Sequence, residues 1–413
     1  MTDRGLAGGP VTRASVARVG TATLLSALCG YAVLYLAARD LAPAGFSVFS
    51  VFWGAFGLVT GAANGLLQET TREVRFARDA GTGLEPAHTR PLWVAGLAGV
   101  AAAVLVAACS PLWSGHVFVD ARWLSVGLLC FGLANFAVHA TLLGMLAGTN
   151  RWTQYGALMV TDAGTRVAVA GAAFVIGWGL VGYLWATVAG AMAWLALLAA
   201  SPATRSAARL VTPVDTATFL RGAAHSITAA GASAILVMGF PVLLQATYGD
   251  LGAEGGVVIL AVTVTRAPLL VPLTAMQGNL IAHFVDQRAR RLRALITPAV
   301  SVALVGAAGA AAAGLLGPWL LRTVFGPDYH ADGLLLAALT TAATTIALLT
   351  LTGAATVAAA LHRAYALGWV GATAASTLLL LLPLDLPMRT VVALLCGPLV
   401  GIAVHLTALR AAP

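Results

Sequence analysis

Lysine is absent from this 413-residue chain, so all 23 basic residues are arginine, and charged residues make up only 9% of the sequence. A soluble domain carries about 25% charged residues. The low charge and the 60% hydrophobic content therefore exclude a soluble protein and indicate a membrane protein. The net charge of +8 does not indicate a nucleic-acid partner, because most of the arginines fall in the segments that flank and connect the apolar spans.

Motifs for hydrolysis and for metal binding are also absent. The sequence contains no Walker A, HExxH or GxSxG motif and no Cys/His cluster with metal-ligand spacing. Its four cysteines each lie within an apolar segment, where a free thiol behaves as a small core residue. No loop between apolar segments is long enough for a soluble catalytic domain. We therefore expect no enzymatic activity, no cofactor and no metal.

Long apolar segments are abundant. A helix needs about 20 apolar residues to cross a hydrocarbon core of about 30 Å. By this rule the sequence predicts an all-α polytopic membrane protein with transmembrane helices at approximately 17–38, 46–68, 92–112, 123–148, 154–177, 179–200, 221–248, 255–284, 295–317, 332–360, 364–384 and 388–409.

The distribution of arginine predicts the orientation of these twelve spans. With the N-terminus in the cytoplasm, seventeen arginines lie on the cytoplasmic side and only Arg39, Arg122, Arg322 and Arg389 face outward. This asymmetry follows the positive-inside rule. We expect a multi-pass protein of the plasma membrane with both termini in the cytoplasm.

Two pairs of turns indicate two similar halves. Arg39–Phe46 separates two apolar runs and has a counterpart near Asp250–Gly255, about 210 residues later. Arg151–Gly156 has a counterpart at Arg363–Gly368, 212 residues later. Six helices per half is an even number, so the halves would share their orientation in a 6+6 parallel repeat. The predicted domains are a cytoplasmic tail 1–16, an N-lobe 17–200, a cytoplasmic linker 201–220 and a C-lobe 221–413.

Charged residues within predicted spans are candidates for function, because a charge in hydrocarbon is costly. Asp162 and Arg166 lie four residues apart on one helix face and can pair, which predicts either a structural ion pair or a site for a coupling ion. Arg266 lies about 15 Å along its helix from the outer end, before Pro268 and Pro272, which we expect to kink the helix. A guanidinium at this depth fits an anionic ligand such as phosphate; the alternative is a partner on another helix.

Polar side chains also concentrate on the first, second, seventh and eighth spans. The pairs Asn64/Gln68 and Asn279/His283 each have i,i+4 spacing and form a polar patch on one helix face. These patches predict a hydrated substrate cavity or, alternatively, hydrogen bonds between packed helices. The candidate substrate-binding residues, besides Arg266, are Tyr31, Tyr35, Asn64, Gln68, Gln277, Asn279 and His283.

Three short motifs resemble those of the polysaccharide flippases, a family of the multidrug/oligosaccharidyl-lipid/polysaccharide exporter superfamily. Arg39–Phe46 resembles the R-x-L-G-P-x-x-[YF] turn after the first helix of these proteins. Leu320–Tyr329 resembles the F-G-x-x-Y element before the tenth helix, and Ala359–Tyr365 resembles the turn before the eleventh.

The resemblance implies a V-shaped bundle of two six-helix lobes, with a central cavity lined by helices one, two, seven and eight. Such proteins flip polyprenyl-pyrophosphate-linked sugars by alternating access. The implied partners are a polyprenyl-linked glycan, membrane lipids, and glycosyltransferases or a polymerase of the same pathway. Arg266 resembles the eighth-helix arginine that is thought to hold the pyrophosphate in related lipid II flippases. Helices one and two carry no arginine at mid-span, which departs from the pattern of those flippases.

The predicted function is therefore a transporter that flips a lipid-linked oligosaccharide or related glycan precursor across the plasma membrane without hydrolysis. One alternative is a cation-coupled multidrug exporter of the same fold. Another is a membrane glycosyltransferase or a non-transporting component of a glycan assembly complex.

Overall fold

The computed structural model describes residues 13–79, 89–287 and 291–411, and these residues are almost entirely helical. Long helices form because each segment is apolar and because lipid offers the backbone no hydrogen-bond partner except itself. The first six are α1 (Arg13–Asp79), α2 (Pro91–Val117), α3 (Arg122–Gly148), α4 (Trp152–Ile176), α5 (Gly179–Ala189) and α6 (Ala193–Ala200). They are followed by α7 (Pro202–Ala208), α8 (Thr216–Val237), α9 (Phe240–Tyr248), α10 (Gly252–Ala275), α11 (Gln277–Asp286), α12 (Arg291–Phe325), α13 (Gly333–Ala358), α14 (His362–Leu379) and α15 (Leu386–Ala411).

Each of the twelve predicted spans overlaps one or more of these helices. In the described part of the chain, nine helices are long and apolar enough to cross a membrane, and the bent pair α8–α9 makes ten. Helix α1 holds the first two predicted spans, and α14 covers the eleventh. The prediction of an all-α, multi-pass membrane protein is confirmed, consistent with the plasma membrane. The orientation of the termini stays a prediction, and residues 1–12 of the predicted tail lie outside the described residues.

Three predicted spans are interrupted at positions that the sequence analysis did not predict. The span 221–248 consists of α8 and α9, which meet at 64°. In the span 255–284, α10 runs through Pro268 and Pro272 and ends at Ala275, before Met276, and the kink expected at the two prolines stays a prediction. The span 179–200 contains a 3₁₀ turn, Gly190–Met192, between α5 and α6.

The turn predicted at Arg39–Phe46 is tighter than expected, since Ala42 alone has non-helical backbone angles within α1. Its φ of 53° and ψ of 169° lie in a region that glycine alone occupies readily. The flippase-like motif has glycine at this position. Pro43 begins the next helical segment, where its missing N–H removes no hydrogen bond. Gly256 lies so close to this turn that a Cβ there would overlap the Pro43 carbonyl.

Backbone angles support the twofold repeat more directly than residue types do. Ala42 and Gly252 lie 210 residues apart and have φ values of 53° and 50°. Asn150 and Ala360 also lie 210 residues apart, with φ values of 56° and 60°. Left-handed residues of this kind end helices or reverse the chain within very few residues. Two such pairs at one offset indicate that equivalent turns recur in both halves.

Hydrogen bonds at the ends of α3 and α13 show the same equivalence. The Arg151 N–H donates to the Leu146 carbonyl at 2.8 Å after α3, and the Leu361 N–H donates to the Thr356 carbonyl at 2.9 Å after α13. Both bonds close a Schellman turn, in which the N–H beyond the left-handed residue reaches back to the last helical turn. The fourth and tenth predicted spans therefore end in the same way.

The chain forms two compact units. Of the described residues, the first unit contains those in 13–40 and 52–234, and the second contains those in 41–51 and 235–411. A buried cluster of the first unit consists of Leu142, Leu143, Leu146, Leu158, Ala193, Leu197 and Ala207. One in the second consists of Phe284, Leu295, Leu351, Ala354, Ala355, Ala358 and Leu409. The lobes predicted from the repeat, 17–200 and 221–413 with the linker 201–220, stay a prediction.

The strained backbone at Ala42 predicts that Ala42→Gly stabilises the protein. Relief of the left-handed strain contributes about 1 to 3 kcal/mol, which exceeds the entropy cost of a glycine, about 0.4 to 1 kcal/mol. We expect a higher melting temperature in detergent. Ala44→Gly is the matched control, because Ala44 is exposed and helical and glycine there costs about 0.5 to 1 kcal/mol. Equal destabilisation by both substitutions would contradict the strain at Ala42.

Candidate functional site

Asp162 and Arg166 form an ion pair within α4, as their spacing allows. The Arg166 Nη2 donates to Asp162 Oδ1 at 3.0 Å and the Arg166 Nε donates to the same oxygen at 3.1 Å. Their side chains are only 18% and 14% exposed. Asp162 lies ten residues after the start of α4, about 15 Å along the helix axis, so the pair lies near the middle of a bilayer about 30 Å thick.

Aromatic rings connect this pair to a buried histidine that the sequence analysis missed. The guanidinium of Arg166 lies 5.2 Å from the ring centroid of Phe56, and Phe56 packs edge-on against Phe136. Phe136 stacks on His139 with centroids 5.2 Å apart. His139 is 2% exposed, and its ring is close enough for the charges of Asp162 and Arg166 to act on it. These side chains form one cluster within the first unit, in which His139 is buried and Asp162 and Arg166 are partly buried.

The Nδ1 atom of His139 has no hydrogen-bond partner among the described residues. A buried imidazole normally has partners for both nitrogens. His405, which is fully buried in the second unit, meets that expectation with partners at 3.0 and 3.3 Å. The two histidines therefore differ: both ring nitrogens of His405 have partners, whereas Nδ1 of His139 has none among the described residues.

The cluster lies against the interruption between α5 and α6. A Cβ on Gly190 would overlap both the Asp162 carboxylate and the Arg166 guanidinium. Glycine is therefore needed at the first residue of the 3₁₀ turn Gly190–Met192. A short 3₁₀ stretch within a membrane span often marks a hinge, and this one directly contacts the ion pair.

Two further acids are buried at the end of α1, and the sequence analysis missed both as candidate site residues. Glu69 and Glu73 are 3% and 6% exposed, and both accept hydrogen bonds from Arg72, at 2.6 and 2.9 Å. The α8 helix packs so closely on Glu69 that a Cβ on Gly222 would overlap its carboxylate. Their i,i+4 spacing was visible in the sequence, but their burial comes from the packing of α8, which the sequence did not predict.

Arg266 is buried in the second unit and contacts the break between α8 and α9. Its Nη1 donates to the carbonyl of Val237, the last residue of α8, at 3.2 Å. Its guanidinium lies 5.4 Å from the ring centroid of Phe240, the first residue of α9. A helix end leaves carbonyls without partners, so Arg266 satisfies one of them and holds the broken span together. A substrate role for Arg266 stays a prediction. A phosphate would compete with the Val237 carbonyl for the Nη1 donor of Arg266.

The other predicted substrate-binding residues are divided between the units. Tyr31, Tyr35, Asn64 and Gln68 lie on α1 in the first unit, where Tyr35 and Gln68 are exposed and the other two are partly buried. His283 lies on α11 in the second unit, exposed and edge-on to Phe284 with centroids 5.5 Å apart. The side chains of Gln277 and Asn279 lie outside the described residues. The predicted cavity stays a prediction.

Two of the three flippase-like motifs contact each other within the second unit. The ring of Phe46, from the first motif, lies edge-on to Tyr329, from the second, with centroids 6.1 Å apart and an interplanar angle of 85°. Both side chains are buried. Burial, together with the neighbouring carboxylate of Asp328, raises the pKa of the Tyr329 phenol above its ordinary value. The motifs therefore meet in a packed contact and not in a polar site.

Metal-ion chemistry finds no support in the described ranges 13–79, 89–287 and 291–411. No group of three or more His, Cys, Asp or Glu side chains there is arranged to hold a metal ion. The described ion pairs are each formed within one helix, Asp162–Arg166 in α4 and Arg72 with Glu69 and Glu73 in α1.

Solved structures share this fold at low sequence identity. An inward-facing conformation of a multidrug resistance MATE family transporter of the MOP superfamily aligns with a TM-score of 0.69 and 17% identity, over 95% of this chain and 95% of that one. An outward-facing conformation of such a transporter aligns with a TM-score of 0.60 and 14% identity, over 96% and 94%. The predicted twelve-helix fold is thereby confirmed; the polysaccharide flippase family is not.

Sequence relatives come from mycobacteria. No protein-family model matches the chain. "Uncharacterized protein Rv3630" of Mycobacterium tuberculosis (strain ATCC 25618 / H37Rv) is 71% identical over 405 residues, which cover 98% of this chain and 94% of that protein. "Uncharacterized protein Rv1510" of the same strain is 68% identical over 417 residues, covering 100% and 96%. The chain belongs to the family of these mycobacterial proteins, and its fold is that of the MATE transporters.

Proposed function

We propose that the protein is a cation-coupled exporter that moves organic amphiphiles across the plasma membrane by alternating access. The observation that carries this proposal is the cluster at mid-bilayer depth of the partly buried Asp162 and Arg166 with the buried His139. Buried charges in membrane spans typically serve ion pathways or proton relays. The fold supports the proposal as well, because solved structures of this fold include inward-facing and outward-facing multidrug transporters.

The ion pair suggests how a cation could be coupled to conformation. A proton or Na⁺ on the Asp162 carboxylate would cancel its charge and weaken its bonds to Arg166. The guanidinium would then rest on the face of Phe56, where a cation–π contact still stabilises it. Because Gly190 touches both members of the pair, a change in their separation would act directly on the 3₁₀ turn. A two-state element biased by a local charge is the general form of such coupling.

A specific observation also favours the flippase as a second candidate. Phe46 and Tyr329, the aromatic residues of two flippase-like motifs, contact each other, which suggests that the motif resemblance reflects a shared packing arrangement. In this alternative, Arg266 anchors the phosphate of a lipid-linked glycan after exchanging the Val237 carbonyl for the ligand. Glycosyltransferases or a polymerase of the same pathway would be the partners.

The exporter proposal predicts gradient-driven transport in reconstituted vesicles. Purified protein in phosphatidylethanolamine and phosphatidylglycerol vesicles would receive an imposed H⁺ or Na⁺ gradient, and movement of the cationic dye rhodamine 6G would be followed by fluorescence. We expect one of the gradients to drive dye movement and Asp162→Asn/Arg166→Gln to reduce it to the level of protein-free vesicles. Asp120→Asn, which removes an exposed carboxylate, is the matched control. Failure of the wild-type protein under both gradients would reject the proposal.

The ion pair also predicts a non-additive effect on stability. Asp162→Asn alone leaves the Arg166 charge buried without its carboxylate and should destabilise the protein by about 3 kcal/mol. Asp162→Asn/Arg166→Gln removes both charges and should recover much of that loss. Melting temperatures of the two variants in detergent measure the difference. If the double variant is the less stable of the two, the pair is not a buried, mutually dependent unit.

The flippase candidate predicts a different phenotype. A strain lacking the gene should accumulate a lipid-linked sugar in its inner leaflet, and the wild-type gene should clear it. Arg266→Lys keeps the charge but cannot bind phosphate with a planar fork, so we expect partial clearance, and none with Arg266→Gln. Arg322→Gln, which alters an exposed arginine, should clear fully. Melting temperatures would separate loss of binding from loss of the Val237 contact. No accumulation in the deletion strain would eliminate this candidate.

A further inference from the structure

The last part of α1 packs closely against α8 within the first unit. A Cβ on Gly61 would overlap Ala234, and a Cβ on Gly65 would overlap the backbone at Ser226 and Ile227. Glycines at a four-residue spacing on one helix let the neighbouring backbone approach closely. Little space is therefore left between the two helices along this contact.

The next position of this contact on α1 is an acid, and here the glycine lies on the opposite helix. Glu69 follows Gly65 by four residues, and a Cβ on Gly222 of α8 would overlap its carboxylate. Glu73, four residues further along, is also buried. Two acids at this spacing repel each other, and burial of a carboxylate is costly unless it is paired. The contact therefore encloses charge that helix packing alone does not require.

The two acids share a single arginine. The Nη2 of Arg72 donates to Oε1 of Glu69 at 2.6 Å and to Oε1 of Glu73 at 2.9 Å. Arg72 itself is mostly exposed. With both acids ionised, two negative charges and one positive charge leave a net negative charge in a buried contact. One bound proton would make the group neutral, and a buried group tends to adopt its neutral form.

Other charged groups on the surrounding helices do not balance this charge. On α1, the Arg75 guanidinium lies over a tryptophan ring of α4, and Arg78 donates to a carbonyl at the end of α3. The last two turns of α3 carry no titratable side chain. The titratable side chains on α8 and just before it are all exposed; they are Asp215, Arg221 and His225. Arg72 is thus the cation that the described part of the chain pairs with these acids.

Two buried oxygens on the same side of α1 have no hydrogen-bond partner among the described residues. They are Oε2 of Glu73 and Oγ1 of Thr70. Thr70 is fully buried and precedes Glu73 by three residues, a spacing that makes two side chains neighbours on a helix. An ionised carboxylate only accepts hydrogen bonds, whereas a protonated one also donates. A proton on Oε2 would therefore supply a donor to Oγ1 of Thr70 and leave the hydroxyl hydrogen for a backbone carbonyl.

A proton fits this place better than a metal cation does. Neither of the two oxygens is open to solvent, and Oε1 of each acid is already bonded to Arg72. A hard metal cation needs several oxygen ligands and a space of its own, whereas a proton needs only one oxygen and one acceptor.

We propose that Glu69 and Glu73 together bind one proton, which lies on Oε2 of Glu73 and is donated to Oγ1 of Thr70. With the proton bound, the buried group is neutral and α8 packs closely against α1. Release of the proton leaves a net negative charge beneath α8 and favours separation of the two helices. This site is separate from the Asp162–Arg166 pair of α4 and does not depend on the proposed transport function.

Infrared spectroscopy of the purified protein in lipid vesicles tests for the proton. A protonated carboxyl group has a C=O band that ionised carboxylates lack, and the band moves when the sample is exchanged into D₂O. We expect the wild-type protein to show this band at neutral pH. Glu254→Gln, which removes an exposed carboxylate, is the matched control and should show the same band. Absence of the band from the wild-type protein would overturn the proposal.

Single substitutions assign the band to this site. In Glu69→Gln or Glu73→Gln the remaining carboxylate is balanced by Arg72, so the band should disappear. Arg72→Gln removes the shared cation and leaves both acids to bind protons, so the band should become about twice as strong. Asp162→Asn/Arg166→Gln should retain the wild-type band. A band that persists in Glu73→Gln and is lost in the double variant would belong to the other cluster and would reject this site.

The hydroxyl of Thr70 provides an independent readout. Thr70→Val keeps the shape of the side chain but removes the acceptor, so the C=O band should shift in frequency. Thr70→Ser keeps the hydroxyl and should leave the band at its wild-type position. Melting temperatures in detergent identify variants that fail to fold. An unshifted band in folded Thr70→Val would overturn the hydrogen bond assigned to Oγ1.

Discussion

The constraint on which the structure depends is the need to pair every backbone N–H and C=O of a chain surrounded by lipid. Helices pair these groups along their length, so unpaired backbone groups remain mainly at helix ends and turns. This chain resolves it with very short turns that use left-handed residues, at Ala42, Asn150, Gly252 and Ala360. Where a span breaks between α8 and α9, the Arg266 side chain supplies a donor to a carbonyl that the helix leaves open.

Much of the fold could be predicted because apolar length and turn composition are local properties. The twelve spans, the repeat and the abrupt turn at Trp178 follow from them. The φ values of Gly177 and Gly179 are 67° and 60°, which explains why that turn needs only a few residues. The break at Gly190–Met192 lies in sequence as apolar as the helices around it, whereas Met276 is followed by Gln277, Gly278 and Asn279. The break at Gly190 lies against the Asp162–Arg166 pair of a neighbouring helix, and composition could not reveal that contact.

The candidate site also has a part that could be predicted from the sequence and a part that could not. Asp162 and Arg166 could be paired from sequence because one helix carries both. His139, Phe56 and Gly190 complete the cluster from three other helical segments, and no spacing rule connects them to Asp162. Arg266 shows a second limit, since its partner is a backbone carbonyl that has no signature in the residue at position 237. Buried acids such as Glu69 were visible as residues, but their burial was not.

The recurring left-handed turns bear on the evolutionary origin of the two halves of this chain. At one pair of equivalent positions the residues are alanine and glycine, and at the other they are asparagine and alanine, yet the φ values differ by only a few degrees. A duplicated ancestor would explain this if selection preserved the path of the backbone and let the side chains diverge. The similarity of the two halves would then be retained in their backbone geometry. A comparison of the halves by residue identity would underestimate how closely they are related.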